Sequence, residues 1–508
     1  MVGAEKLLGK GDMLYLPMGE NAPIRIQGNF ISDDETQRLI DYVSKEQLAQ
    51  YDNTLTESAP NHMAAGEGFE KEELLNGVKL MRESLKFTNQ PYNHTKFTYK
   101  INTQKGKKAV MIANIAVNLG ILGVYKYYDF FAREFAELIG IEADFLLLHL
   151  ILPVGISFYT FQALSYSIDV YRKQIAPTHD IVAFTAFLSF FPQLVAGPIE
   201  RATNLLPQFY KKRTFDYATA VDGMRQILWG LFKKIVVADN CATYVDTVFA
   251  DISGQSGSTL VLAAVLFTFQ IYGDFSGYSD IAIGTAKLFG IKLMRNFNVP
   301  YFSRDIAEFW RRWHISLTTW FRDYVYIPLG GSRPNIPEAI RLKGDKAIEA
   351  RYTKWIAVRN TFIIFLLSGF WHGANWTFVL WGAYHALLFV PLLLMGRNRR
   401  YREDDQTWRD IPRMLLTFVL VVIGWILFRS PDMGSCVDYL AGIGHSSILS
   451  LPFVENALHL AVTGIAILVM LWMEWRKQLP NRWWMYFVLT LAIWWFAGQD
   501  MDFIYFQF

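Results

Sequence analysis

Two histidines stand in aromatic settings, His314 in RRWHISL and His372 in FWHGANW. An imidazole titrates near pH ~6.5, so it can take a proton from a hydroxyl at neutral pH and return it to a leaving thiolate, the proton traffic of acyl transfer. His372 lies in a stretch, 360–396, that contains no Asp, Glu, Lys or Arg. A stretch of that length and composition reads as lipid-embedded or bundle-buried, where an ionisable side chain is a functional candidate. A structural histidine donating one hydrogen bond between helices is the plainer alternative. Ser368, Asn375 and His385 on the same segment add polar company, and Gly373 leaves room for a substrate beside the ring.

Around His314, Phe309, Trp310, Trp313, Leu317 and Trp320 or Phe321 recur at helical spacing, with Arg311, Arg312 and Arg322 between them. That pattern predicts an amphipathic interfacial helix whose arginines meet lipid phosphates, and such a helix can also carry catalysis. His314, four positions after Trp310, should face inward with the aromatics. His372 and His314 are thus the candidate catalytic pair, and Trp313, Trp371, Asn375 and Arg322 the candidate substrate contacts. A serine nucleophile is less attractive, because no G-x-S-x-G elbow occurs and Ser276 sits in DFSGYSD. Asp274 and Asp280 in that motif read as helix-packing or proton-balancing carboxylates rather than metal ligands. Cys241 and Cys436 lack CxxC spacing, and neither a disulfide framework nor a zinc site is expected.

These residues need a scaffold. Of 508 residues, 52% are hydrophobic and 16% aromatic, which points to one large membrane domain. Charge-free stretches recur at 109–124, 145–168, 181–199, 252–273, 360–396, 414–428, 456–473 and 483–499. With shorter segments at 223–238 and 281–291 they predict about nine or ten membrane segments, the long 360–396 stretch holding two, or one and a re-entrant turn over 369–375. Basic clusters at 105–108, 210–213, 396–402 and 475–477 fit short cytoplasmic loops, and a net charge of +3 argues for no nucleic-acid partner. Pro and Gly inside apolar stretches, at 153–155, 191–192 and 197–198, would break helices, which a bilayer tolerates only around a protein-lined or water-filled cavity.

Residues 1–85 read differently, as a soluble piece with short β-like segments at 13–16 and 24–26 and a capped helix start at Ser32. The first fifty residues or so, with GKGDMLYLP and IQGNFISDDE in that order, resemble part of the motor domain of FtsK-type DNA translocases. No G-x-x-x-x-G-K-[ST] occurs anywhere in the chain, so the fragment should be inactive as a motor. Residues 86–108 form a basic linker, and 109–508 the membrane domain.

Six ordered motifs run through that domain: LPVGISFYTFQALSYSIDVYR, FFPQLVAGPIER, YGDFSGYSDIAIGTAKLFG, NFNVPYFSRDIAEFWRRWHISLTTWFRDYVYIPLGGSR, FLLSGFWHGANWTFVLWGAYHA and the terminal FIYFQF. Together they resemble the membrane-bound O-acyltransferase (MBOAT) superfamily, in its alginate and peptidoglycan O-acetyltransferase branch, from about residue 107 to the last. The resemblance implies an all-α polytopic membrane bundle with a central cavity, here preceded by the small soluble fragment. It implies transfer of an acetyl group from a cytoplasmic thioester, acetyl-CoA or an acyl carrier, toward an extracytoplasmic polysaccharide, with no permanently bound cofactor. It places the family's near-invariant histidine on His372 and the second functional histidine on His314. A separate extracytoplasmic SGNH-type transferase, membrane lipid and a bacterial plasma-membrane location are implied as well. Family members usually carry further spans before the segment matching residue 107, and here the translocase-like fragment stands in their place, as in a fusion. A transporter or flippase would also explain broken helices, but it predicts repeats between the two halves, and the histidine motifs have no counterpart before residue 250.

Overall fold

A computed structural model describes residues 12–15, 24–27 and 104–503, less 332–333, 343, 402–405, 446–447 and 498–502. The chain divides into two compact units, Met1–Glu67 and Gly68–Phe508. In the first, β1 (Asp12–Tyr15) pairs antiparallel with β2 (Ile24–Gln27), Asp12 opposite Gln27. These strands fall on the expected β-like segments. The helix start expected at Ser32 and most of the basic linker lie outside the described residues.

The second unit is helical. It opens with α1 (Gln104–Lys126), α2 (Tyr128–Ile139), α3 (Ile156–Tyr171), α4 (Ile181–Ser189) and α5 (Ala202–Phe209). Next come α6 (Tyr217–Leu231) and α7 (Asp239–Ala250), joined without interruption by a π-helical segment at Phe232–Ala238, and then α8 (Gly257–Leu288). Short helices α9 (Ile306–Arg312), α10 (Ile315–Phe321) and α11 (Glu338–Arg341) precede α12 (Lys346–His372) and α13 (Trp376–Leu394). The chain closes with α14 (Ile411–Arg429), α15 (Met433–His445), α16 (Ala457–Trp475) and α17 (Trp483–Phe496).

Among the described residues five helices are long and apolar enough to cross a membrane, and α17 is a shorter apolar one. This is fewer than the nine or ten segments the charge-free stretches predict, and two causes account for part of the gap. Proline and glycine break two stretches: 145–168 is helical only from Ile156, and 181–199 only to Ser189. At the first break Gly155 adopts φ +75, and the carbonyl oxygen of Leu194 occupies the space a Cβ would need. Conversely, 252–273 and 281–291 are one helix, α8, of 32 residues.

Charge is why that one helix reads as two stretches. Asp274 and Asp280 seemed to interrupt the apolar stretch, but in α8 they face the lysines of the π-helical segment. Lys234 pairs with Asp274 and with Asp239 at 2.8 Å each, and Lys233 pairs with Asp280. The two helices approach closely because glycines meet: a Cβ on Gly230 would stand 2.6 Å from the Gly277 carbonyl oxygen, and one on Gly284 2.6 Å from that of Gly223. Small residues of this kind let helix backbones touch where no water-driven force presses them together.

The 360–396 stretch forms a helical hairpin, the C-terminal half of α12 and all of α13, turning at 373–375. Asn375 starts α13 by accepting from the Thr377 N–H at 3.0 Å. Gly369 and Gly382 set the crossing, since a Cβ on either would collide with the Phe378 or Phe365 carbonyl of the opposite helix. Inside the unit, Trp310, Trp313, Trp320, Trp371, Trp381 and Trp425 belong to one buried aromatic core, and the two candidate histidines project into it.

Candidate functional site

The segment read as one amphipathic helix is two. α9 stops at Arg312, and His314, with φ 43 and ψ 54, reverses the backbone before α10 begins at Ile315. A non-glycine residue in the left-handed region is uncommon and is held there by its surroundings. The i+4 argument for the direction of His314 therefore fails, yet the reversal still turns the ring inward, where it is 1% exposed. The arginines divide in the same way. Arg312 is buried and pairs with Glu308 at 2.8 Å, beside the Arg304–Glu308 pair at 3.0 Å, so it meets an internal carboxylate and not a lipid phosphate. Arg311 donates to the carbonyl oxygens of Asn398 and Tyr401, each at 2.6 Å.

His314 packs edge-to-face on Phe275, with centroids 4.7 Å apart, and its Nδ1 lies 3.0 Å from the Asn296 side-chain oxygen. Its Nε2 is buried without a hydrogen-bond partner. His372 closes α12 inside three aromatic rings: Trp371 at 4.9 Å, Trp381 at 5.2 Å and Phe428 at 5.2 Å between centroids. The Trp371 indole links the two histidines, since the His314 ring meets it edge-on at 6.0 Å. His385 extends the series, 5.0 Å from Trp381, with both ring nitrogens buried and without hydrogen bonds.

The end of α12, where His372 sits, is held from a distant part of the chain. The last carbonyls of a helix have no partner within it. Here Lys126, at the end of α1, donates to the carbonyl oxygens of Trp371 at 2.5 Å and His372 at 3.1 Å, and the Tyr127 hydroxyl donates to that of Phe370 at 3.0 Å. A cation at a helix C-terminus also complements the helix dipole.

The candidate substrate contacts separate. Trp371 is in ring contact with both histidines. Trp313, 3% exposed, is packed among Phe297, Phe309 and Trp425. Asn375 uses both ends of its amide at the start of α13, the nitrogen donating to the Pro431 carbonyl at 2.6 Å, so its polar atoms serve the turn. Arg322 is paired with its neighbour Asp323 at 2.7 Å and lines a cavity of about 580 Å³ bounded by Trp310, Leu317, Phe365 and Arg399. Gly373 leaves no opening beside His372, because the Phe378 ring fills the space its missing Cβ vacates. Sequence reasoning missed Asn296, Lys126 and Tyr127. The signal for Lys126 was a lone cation closing an apolar stretch. For Asn296 it was an asparagine in RNFNVP just ahead of a proline turn.

The sequence profile of the membrane-bound O-acyltransferase family matches residues 172–338, which include Asn296 and His314. A probable alginate O-acetylase of Pseudomonas aeruginosa is 39% identical over 350 residues, 67% of this chain and 62% of that protein. The peptidoglycan O-acetyltransferase of Helicobacter pylori is 35% identical over 364 residues, 66% of this chain and 65% of its own length. The teichoic acid D-alanyltransferase of Bacillus subtilis is 30% identical over 289 residues, 55% of this chain and 69% of that protein. The chain thus spans about three fifths of the length of the alginate O-acetylases it matches, 62% in each of two species. With five helices able to cross a bilayer, these likenesses lead to one assignment: the chain belongs to the membrane-bound O-acyltransferase family.

Proposed function

We propose that this protein is an O-acetyltransferase of a bacterial plasma membrane. It takes an acetyl group from a cytoplasmic thioester, acetyl-CoA or an acyl carrier, and passes it toward a hydroxyl of an alginate-like polysaccharide or of peptidoglycan. An extracytoplasmic transferase of the SGNH type is the expected partner that completes the modification. The observation that carries this reading is that two imidazoles, from distant parts of the chain, both pack on the Trp371 indole.

In that arrangement His372 serves as general base. The acceptor hydroxyl gives its proton to the imidazole as its oxygen attacks the thioester carbonyl, the carbon–sulfur bond breaks, and the thiolate receives the proton. His314 orients the acceptor through its unpartnered nitrogen. Aromatic walls exclude water, which strengthens each polar contact and keeps the thioester from hydrolysis. The names of the relatives, acting on alginate, peptidoglycan and teichoic acid, favour an envelope polymer as final acceptor.

The test is acetyl transfer by membranes carrying His372→Ala, with insertion checked separately. Transfer should fall at least ~100-fold, the usual range for removing a general base. Wild-type transfer by the inserted variant would end this reading.

A further inference from the structure

We infer that Asn296 is the positioning residue for His314: it fixes the ring as the tautomer with the proton on Nδ1, leaving the Nε2 lone pair to face the substrate. The inference deepens the proposed function and rests on it for the catalytic consequence, though not for the tautomer.

The Asn296 amide presents its oxygen to the histidine. The side-chain oxygen receives the backbone N–H of Ser316 at 3.3 Å and the Ser316 hydroxyl at 2.8 Å. A backbone N–H can only donate, so the atom facing it must be the oxygen and the amide cannot be turned round. The amide nitrogen then points to Ser279 Oγ, 3.1 Å away. The same oxygen lies 3.0 Å from His314 Nδ1. Two acceptors cannot share that distance, so Nδ1 carries the hydrogen, and in a neutral ring Nε2 is bare. Nε2 is also the ring atom without a protein partner.

The backbone holds this pair as firmly as the side chains do. The Ile315 N–H donates to the Asn296 carbonyl at 2.8 Å and the Asn298 N–H to that of Arg312 at 2.9 Å, so 296–298 lies along the reversal between α9 and α10. Asn296 itself is fully buried. It stands between the imidazole and a polar cavity of about 360 Å³ that Ser276, Ser279, Asp280, Lys233 and Glu474 also line. Truncation would remove the nearer of two side-chain oxygens at Nδ1, leaving Ser316 Oγ at 3.5 Å, a hydroxyl that can donate as well as accept and so does not hold one tautomer.

The experiment is ¹⁵N NMR on full-length protein with labelled histidines in lipid, His314 being assigned by difference from His314→Gln, together with acetyl-CoA kinetics. Wild-type His314 should show a protonated Nδ1 and a bare Nε2, a result that requires no variant of Asn296 to fold. Asn296→Ala should give a mixture of tautomers and lower kcat by at least about tenfold while KM for acetyl-CoA changes far less. Asn296→Asp, which keeps an acceptor oxygen, should restore the Nδ1–H form and much of kcat. A proton on Nε2 in the wild type, or an unchanged tautomer in Asn296→Ala, would overturn the inference. If the tautomer shifts as described while His314→Gln transfers acetyl groups at the wild-type rate, the positioning stands and the catalytic role of His314 fails.

Discussion

Lys126 donates a hydrogen bond of 2.5 Å to the carbonyl oxygen of Trp371, and the two residues are 245 positions apart in the chain. The first described helix of the membrane domain thereby closes the end of the helix that carries His372. The contact joins that helix to the one carrying the proposed general base.

Removing that ammonium takes a charged donor from two part-buried carbonyls at the end of α12. Lys126→Met should lower stability by about 1.5–3 kcal/mol, the range for a hydrogen bond to a charged group, and should lower transfer because the end of α12 frays. Lys126→Arg should retain most of both. Thermal melts in detergent beside acetyl-transfer rates decide this; unchanged values in Lys126→Met would show that the cap is dispensable.

The hairpin crossing predicts a steeper effect at Gly382 than at Gly373. A Cβ on Gly382 meets the backbone of Phe365, which cannot move without shifting α12, whereas one on Gly373 meets a side chain, the Phe378 ring, and no backbone. Gly382→Val should cost more than about 3 kcal/mol, as overpacking against backbone does at its upper end, and should reduce the yield of folded protein sharply. Gly373→Ala should cost less. Equal yields of the two variants would contradict the crossing described.

Glu200 predicts a pH dependence of stability. It is fully buried in the connection between α4 and α5, accepting from Asn204 at 2.7 Å and from the Met294 N–H, and burial raises its carboxyl from 4.5 to about 7. Below the unfolded value both states hold the proton and the group is neutral in the balance. Between 4.5 and about 7 the folded state holds the proton and the unfolded state does not, so stability falls as pH rises through this window. The slope is roughly 1.4 kcal/mol per pH unit at most. In Glu200→Gln that contribution should be lost, so the stability difference between pH 5 and pH 8 should shrink in melts at the two values; a difference as large as in the wild type would show that Glu200 contributes nothing to it.

Much of this molecule was legible in its residues. The 360–396 stretch announced its hairpin by length and lack of charge, and the two histidines were found by their aromatic company. What stayed hidden was set by pairing across the fold. Asp274 and Asp280 read as helix-packing or proton-balancing carboxylates, but which cations they meet, Lys234 and Lys233, is set only across a helix interface. Arg312 looked like a lipid contact because Glu308, one turn earlier, gave no sign of being buried with it. The reversal at His314 carries no glycine to mark it, and Asn296 acquires its meaning only when 296–298 folds back along that reversal.

The most direct test of the central claim, that His314 and His372 act as one site around Trp371, is a double-mutant cycle on acetyl transfer. Rates should be measured in membranes for His314→Ala, His372→Ala and the combination, with matched amounts of inserted protein. Residues that act as a unit are strongly non-additive, so the double variant should be scarcely slower than His372→Ala alone. Losses that multiply would mean that the two imidazoles work independently, and would contradict the account.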